Sequence, residues 1–260
     1  MMWYNKNRNF IVELQGGNMG MIKTVDLTKR YKDLVAVDGL DLEIHRGELF
    51  ALLGVNGAGK TTTIKMLSGL TGPSSGDAWI GGYNIFRDIA NVKRIIGVSP
   101  QETAVASHLS VRENLELMGG IYGFSKEQCR EKIRVLAEQL HLRPILSKRA
   151  GQLSGGFQRR VSIAMALIAD PEILFLDEPT LGLDVIARSE LWDMIRVLKR
   201  KMTVILTTHY MEEAEMLSDR IGIMKSGKLL FVGTACELKE QTGKVNFEDA
   251  FIALAKEETV

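Results

Sequence analysis

The stretch Gly54–Val55–Asn56–Gly57–Ala58–Gly59–Lys60–Thr61 decides the fold of this 260-residue chain. It matches the pattern of a phosphate-binding loop, or P-loop, at every required position. Glycines allow successive backbone N–H groups to turn inward around phosphate oxygens, and a following helix adds the positive end of its dipole. Lys60 is expected to contact the β- and γ-phosphates, and the Thr61 hydroxyl is expected to bind Mg²⁺. The predicted phosphate-binding residues are Gly54, Val55, Asn56, Gly57, Ala58, Gly59, Lys60, Thr61 and Thr62.

The segments on either side of the loop supply the context that this motif requires. Residues 49–53 form a continuous apolar run, which is typical of a strand buried on both faces of a sheet. Residues 62–67 follow the loop with helical spacing. The order of strand, loop and helix predicts an α/β fold with a P-loop NTPase core, in which a mixed sheet is flanked by helices.

Hydrophobic periodicity divides the rest of the chain into segments with a strand-like pattern and segments with a helical pattern. Alternating residues before the loop predict antiparallel N-terminal strands, and residues 73–76 (Pro-Ser-Ser-Gly) predict a turn. After Gln101 the pattern becomes helical, so we predict one domain over 22–255 with an inserted helical subdomain at about 102–160. The predicted helices are 111–118, 126–140, 158–169 and 186–201; the predicted strands are 35–37, 40–44, 173–176, 203–207, 220–224 and 228–232.

The first twenty residues do not share this pattern. They lack the long apolar core of a secretory signal, and the domain-like pattern begins at Met21. We expect residues 1–20 to be either a non-native extension, with translation starting at Met19 or Met21, or a genuine but poorly structured arm.

Composition excludes several classes of protein. The chain has 33 Lys and Arg against 32 Asp and Glu, a net charge of 33 − 32 = +1, so no nucleic-acid partner is expected. Cys129 and Cys236 lack the paired spacing of a zinc ribbon or a disulfide scaffold, and we expect both to be reduced. No apolar stretch approaches the roughly 18 to 20 residues of a membrane span. Any action on a membrane is therefore expected to pass through a partner.

A second motif brings carboxylates towards the loop. The apolar run Ile173–Leu174–Phe175–Leu176 ends in Asp177 and Glu178. Beside a P-loop, Asp177 is expected to hold Mg²⁺, usually through water, and Glu178 to orient or deprotonate the water that attacks the γ-phosphate. Without the P-loop, an acidic pair that ends a strand before Pro179 would be the simpler interpretation.

The segment Leu153–Ser154–Gly155–Gly156–Phe157–Gln158 resembles the signature motif of ATP-binding cassette (ABC) ATPases. Residues Ser154, Gly155 and Gly156 at a helix start provide a second anion-binding N-terminus. The resemblance implies a head-to-tail dimer in which two ATP molecules lie between the P-loop of one subunit and the signature of the other. Phe157 stands where the family commonly has Gln, which puts in doubt a polar role for that side chain.

Other motifs follow in the order of that family. The resemblance implies that Tyr31 stacks on adenine and that Gln101 helps to position Mg²⁺. It also implies that Asp184, in Leu181–Gly182–Leu183–Asp184, communicates across the dimer and that His209 contacts the γ-phosphate. Lys60, Glu178 and His209 are the expected catalytic residues. Taken alone, Tyr31 and His209 are ordinary structural residues.

The resemblance implies an ATPase that drives a separate membrane permease from the cytoplasmic face of a bacterial membrane. Segments 29–31, 36–40 and 246–251 are similar to the branch that exports drugs, polysaccharides or ions, although 246–251 also fits an amphipathic closing helix. The alternatives are a soluble ABC ATPase, such as an iron–sulfur assembly factor, and a small-molecule P-loop kinase, against which the signature argues. A homodimer is expected, or a heterodimer with a paralogous cassette.

Overall fold

The computed structural model describes residues 20–257. Its strands are β1 Ile22–Tyr31, β2 Leu34–Ile44, β3 Leu49–Gly54, β4 Ser75–Ile80, β5 Tyr83–Asn84, β6 Ile96–Ser99, β7 Ile173–Asp177, β8 Thr203–Thr208, β9 Arg220–Lys225 and β10 Lys228–Gly233. Its helices are α1 Lys60–Leu67, α2 Ile89–Ile95, α3 Val111–Ile121, α4 Lys126–Gln139, α5 Gly155–Leu167, α6 Val185–Lys199, α7 Met211–Leu217, α8 Ala235–Thr242 and α9 Phe247–Glu257. The predicted α/β class is confirmed.

A six-stranded sheet forms the centre of the protein, in the order β10-β9-β3-β8-β7-β6. Strands β9, β3, β8, β7 and β6 are parallel, and β10 pairs with β9 in the antiparallel sense. Every residue of β3, β7 and β8 is buried. The apolar runs of β3 and β7, and residues 204–206 of β8, reflect helices or a second sheet on both faces, as parallel sheets require.

A second, antiparallel sheet has the order β2-β1-β4-β5. Residues 34–44 form the single strand β2, where two strands were predicted, because the chain passes through positive φ at Gly39 without leaving the sheet. The predicted turn at 73–76 is wrong in its second half, since β4 begins at Ser75. Gly76 lies against β1, where a Cβ atom would come within 2.1 Å of the Asp26 carbonyl oxygen.

Helices α3, α4 and α5 occupy most of residues 102–160, and their predicted positions are confirmed with ends that differ by about a turn. Ser110 and Ser125 begin α3 and α4 with capping boxes. Their apolar faces pack in the same core as the side chains of β3 and β7. We continue to propose 102–160 as the helical subdomain of one domain over 22–255.

Several elements lacked a clear pattern in the sequence. Helices α2 and α7 have seven residues each, and strand β6 has four. Of the apolar residues that follow Gln101, Val111 is fully buried and Val105 packs against the core, whereas Leu109 is half-buried. The apolar side chains of this segment are therefore buried to different degrees.

The expectation for residues 1–20 lies outside the described part of the chain, except at Gly20. None of the helices within residues 20–257 has the length and apolar character needed to cross a bilayer. In the same range Cys129 is buried and Cys236 is exposed, and both are unpaired thiols.

Candidate active site

The parallel pairing of three strands brings the P-loop and the acidic pair to one edge of the sheet. Strand β8 lies between β3 and β7, with Leu53 opposite Thr208 and Asp177 opposite Thr207. Because all three strands end at this edge, the residues that follow them converge there. The site is therefore formed by register and not by closeness in sequence.

The P-loop follows a path that glycine alone permits. Gly57 and Gly59 have φ angles of 81° and 107°, in the region that side chains disfavour. A Cβ atom at Gly54 would lie 2.4 Å from the Met224 carbonyl oxygen, and one at Gly59 would lie 2.5 Å from that of Ala36. The backbone of the loop is thus held close to its neighbours.

Lys60 extends back across the loop that precedes it. Its Nζ donates to the carbonyl oxygens of Gly54 at 2.8 Å and Val55 at 3.3 Å. The same Nζ lies 3.2 Å from Glu178 Oε1, and both side chains are about 5% exposed. In a buried ion pair of this kind each charge compensates the other, which offsets the cost of removing both groups from water.

Thr61 and Asp177 form the oxygen-rich part of the site. Thr61 Oγ1 donates to Asp177 Oδ1 at 3.1 Å, and Thr207 Oγ1 donates to the same oxygen at 2.5 Å. The side chain of Gln101 lines the adjoining cavity. Hydroxyl, carboxylate and amide oxygens are the ligands that Mg²⁺ prefers, so this donor set fits that ion.

Glu178 connects the catalytic candidates. Its Oε2 lies 2.7 Å from His209 Nδ1, which acts as donor if the carboxyl is ionised. Its backbone has a φ of 48°, and its N–H donates to Thr207 Oγ1 and to the Thr207 carbonyl oxygen. A non-glycine residue in the left-handed region of backbone conformation costs about 1–3 kcal/mol of stability, and such residues cluster at functional sites. Strand β8 thus fixes the direction of this carboxylate.

One cavity of about 620 Å³ brings half of the predicted site residues together. Tyr31 lies at its rim, 44% exposed, with the Lys29 ammonium 5.0 Å from the ring centroid. The predicted residues that line it are Tyr31, Asn56, Gly57, Ala58, Gly59, Lys60, Thr61, Thr62, Gln101 and Glu178; Leu34, Val35, Ala36 and Ser226 complete it. Its volume is within the range of small-molecule sites.

The signature residues lie elsewhere in the same chain. Among the described residues that line the cavity, none belongs to the set Ser154, Gly155, Gly156, Phe157 and Gln158. Ser154 is the N-cap of α5, and its hydroxyl makes no capping bond to that helix. Gly156 faces the start of α6, where a Cβ atom would lie 3.2 Å from that of Ala187.

The remaining motif residues have local partners. Phe157 packs on the core, 5.0 Å from the Arg160 guanidinium, so its aromatic ring has a packing role in place of a polar one. Gln158 Nε2 donates to the Leu153 carbonyl oxygen at 3.1 Å. Asp184 caps α6 by accepting from the Ala187 N–H at 2.8 Å.

Two residues that sequence reasoning missed organise the site. Thr207 binds both Asp177 and the backbone of Glu178, as described above. Arg159 donates to the carbonyl oxygens of Pro100 and Gln101, each at 2.6 Å, and burial lowers the pKa of Arg159. The signature helix α5 is therefore bonded to the Gln101 loop. Thr207 could have been identified from the sequence, because it lies at the end of a predicted strand. The sequence contained no feature that would have identified Arg159.

Comparison with known proteins gives consistent similarities. A family model described as "ABC transporter" matches residues 37–181. The daunorubicin resistance ATP-binding protein DrrA3 of Streptomyces coeruleorubidus is 44% identical over 85% of this chain and 70% of its own. The human phospholipid-transporting ATPase ABCA3 is 42% identical over 82% of this chain, which spans 12% of that longer protein.

Solved structures agree in fold. The ATP-binding subunit of an ABC transporter superposes with a TM-score of 0.81 and 29% identity, covering 91% of this chain and 100% of its own. A dimeric post-hydrolysis state of the cassette MJ0796, bound to ADP and phosphate, gives a TM-score of 0.75 and 27% identity over 82% of this chain and 98% of its own.

Replacement of Thr207 by Val tests the organisation of the acidic pair. The variant keeps the shape of the side chain but removes the hydroxyl that binds Asp177 and Glu178. We expect ATP turnover to fall roughly 10- to 100-fold, because small misplacement of reacting groups is that costly. The measurement is kcat for phosphate release.

Thr203→Val is the matched control at the other end of β8. Thr203 is equally buried and accepts one hydrogen bond, from the Gly47 N–H at 2.9 Å. Its loss should cost about 1 kcal/mol of stability and leave turnover unchanged. Equal turnover in the Thr207→Val and Thr203→Val proteins would contradict the assigned role of Thr207.

Proposed function

Because the chain belongs to the ABC transporter family of ATP-binding proteins, we propose that it hydrolyses ATP as the nucleotide-binding subunit of an exporter, driving a separate membrane permease. The observation that carries the ATPase assignment is the convergence of Lys60, Glu178 and His209 at one edge of the sheet, beside the Thr61–Asp177 pair. ATP hydrolysis is the activity of this family. The residue roles below are our proposal.

The P-loop and Tyr31 hold the nucleotide. Backbone N–H groups of residues 55–62 bind phosphate oxygens, and the ring of Tyr31 stacks on adenine at the rim of the cavity. Thr61, Gln101 and Asp177 would hold Mg²⁺, directly or through water, and the bound ion would supply charge neutralisation at the phosphates.

Lys60 and Glu178 have different roles in hydrolysis: Lys60 binds the γ-phosphate and Glu178 accepts a proton. A γ-phosphate that binds the Lys60 ammonium replaces Glu178 as its partner, which turns the carboxylate into an acceptor for a water proton. As that water forms its bond to phosphorus and the bond to the ADP oxygen breaks, the proton passes to Glu178. His209 donates through Nδ1 to Glu178 Oε2, so it keeps the carboxylate in line with the water.

A second subunit supplies the missing signature. Ser154, Gly155 and Gly156 lie outside the cavity of their own chain, and the Ser154 hydroxyl makes no bond to its own helix. We propose a head-to-tail dimer in which this helix start binds the γ-phosphate held by the partner. Asp184 lies at the start of the neighbouring helix α6 and would report on the contact. A paralogous cassette can occupy the second position.

Transport fits the relatives better than a soluble assembly factor does. The relatives named above are a drug resistance protein and a phospholipid-transporting ATPase, and one solved relative is a transporter subunit. We therefore propose export, at the cytoplasmic face of the membrane where the permease and ATP are both accessible. The permease would select the cargo.

Glu178→Gln tests the general base. The amide is isosteric but cannot accept the water proton, so turnover should fall by at least ~100-fold while ATP affinity is retained. The measurements are kcat for phosphate release and nucleotide binding by fluorescence or calorimetry. The matched control is Glu172→Gln, just before β7 on the opposite edge of the sheet, which should retain turnover. Wild-type turnover by Glu178→Gln would refute the role.

Affinity purification from gently solubilised native membranes tests the transport assignment. We expect a protein with several membrane spans to copurify in stoichiometric amount, because the ATPase would have to be physically bound to its permease. The Glu178→Gln protein should copurify with the same partner, since hydrolysis is not needed for assembly. Recovery of soluble partners alone would leave the ATPase chemistry intact and move the function to the soluble class.

A further inference from the structure

Glu213 is a carboxyl group that the proposed hydrolysis does not use. It lies on α7, four residues after His209, and solvent does not reach it. Its Oε1 accepts from the indole Nε1 of Trp192 at 3.1 Å. Its Oε2 has no hydrogen-bond partner among the described residues, although it is completely buried. A buried carboxylate oxygen without a donor would be strongly unfavourable.

A second buried polar atom near this carboxyl also lacks a partner. The Thr180 hydroxyl is fully buried and makes no hydrogen bond within residues 20–257. Burial raises the pKa of Glu213, the nearby Thr208 and Thr180 hydroxyls and the Trp192 indole oppose this effect, and the charge of Glu178 adds to it. A proton on Oε2 supplies a donor, and Thr180 supplies an acceptor for it.

Glu213 lies where three parts of the catalytic site meet. Trp192 belongs to α6, whose first turn is capped by Asp184. Thr180 follows the acidic pair by two residues. Thr208 ends β8, and its hydroxyl accepts from the Tyr210 N–H at 2.9 Å, which shapes the turn that carries His209.

A second contact links the same helix to this turn. The Arg188 guanidinium, one turn before Trp192 on α6, lies 4.7 Å from the centroid of the Tyr210 ring. That ring is 4.1 Å from the His209 imidazole, centroid to centroid. Helix α6 therefore contacts the His209 turn through Arg188 and contacts α7 through the hydrogen bond from Trp192 to Glu213.

We propose that Glu213, as a neutral carboxylic acid, is a positioning residue for ATP hydrolysis that ties α6 and Thr180 to the turn carrying His209. Through it, a displacement of Asp184 at the subunit contact reaches the hydrogen bond between His209 and Glu178. The assignment rests on the ATPase function proposed above and adds a route from the dimer contact to the catalytic carboxylate.

Two substitutions at Glu213 separate positioning from bulk packing. Glu213→Gln keeps a neutral side chain with one donor and one acceptor, whereas Glu213→Leu keeps the volume and removes both. We expect Glu213→Gln to retain kcat within about threefold of wild type. Glu213→Leu should lower kcat roughly 10- to 100-fold without weakening ATP binding, because the P-loop is unaltered.

Trp192→Phe gives a milder probe should the leucine variant fold poorly. It removes the indole donor to Glu213 Oε1 and retains an aromatic ring. It should lower kcat at unchanged ATP affinity, and its effect should not add to that of Glu213→Leu, because both break one link. If the two substitutions lowered kcat in a fully additive way, the proposed link between Trp192 and Glu213 would be refuted.

Infrared spectroscopy tests the proton without requiring turnover. The difference between wild type and Glu213→Gln at neutral pH should contain the carbonyl stretch of a protonated carboxylic acid. A carboxylate band there instead would overturn the assignment, as would wild-type kcat in Glu213→Leu or equal loss in both Glu213 variants. Absence of ATP turnover in the wild-type protein, with the acid band present, would instead refute the proposed function.

Discussion

The register of three buried parallel strands is the constraint on which the rest of this structure depends. Strand β8 holds β3 on one side and β7 on the other, so that the P-loop, the acidic pair and the His209 turn all begin at one edge. A shift of the pairing by one residue would turn Thr207 away from Asp177 and reverse the faces of the strand. The apolar runs of β3, β7 and β8 thus serve stability and geometry together. Their complete burial stabilises the sheet, and the same burial leaves no freedom in where the polar residues at their ends are placed.

Around that edge, hydrogen bonds between segments distant in sequence fix the positions of the catalytic side chains. Thr207 fixes both acidic residues, and Arg159 holds the loop of Gln101 from the signature helix. Glu178 has a strained backbone and is held between Lys60 and His209. Such an arrangement suits phosphoryl transfer, in which catalysis comes mainly from positioning and electrostatic stabilisation. It also explains why these side chains are buried although they are polar, since a dry site strengthens each interaction.

Site residues within local motifs could be predicted from the sequence. Residues whose role depends on contacts with distant segments could not. The P-loop and the run ending in Asp177 can be recognised from sequence. The glycine spacing predicts a phosphate-binding loop, and the apolar run predicts a buried strand. Short elements such as β5 and β6, with two and four residues, have too few residues to establish a period. Arg159, Thr207 and Glu213 act through partners that are 58, 29 and 21 residues away in the sequence, namely Gln101, Glu178 and Trp192. Apart from the position of Thr207 at the end of a strand, no pattern along the chain indicates these contacts. Phe157 is a further case, because its departure from the expected polar residue is explained by packing on the core.

One chain brings together part of the catalytic site, and we propose that a second chain completes it. The direct measurement is an experimental structure of the Glu178→Gln protein with ATP and Mg²⁺, in which hydrolysis is blocked. We expect two chains in head-to-tail arrangement, with the γ-phosphate bound by Lys60 of one chain and by Ser154 of the second chain. A single chain with ATP bound at the P-loop, or a dimer in which Ser154 stays far from any phosphate, would contradict it.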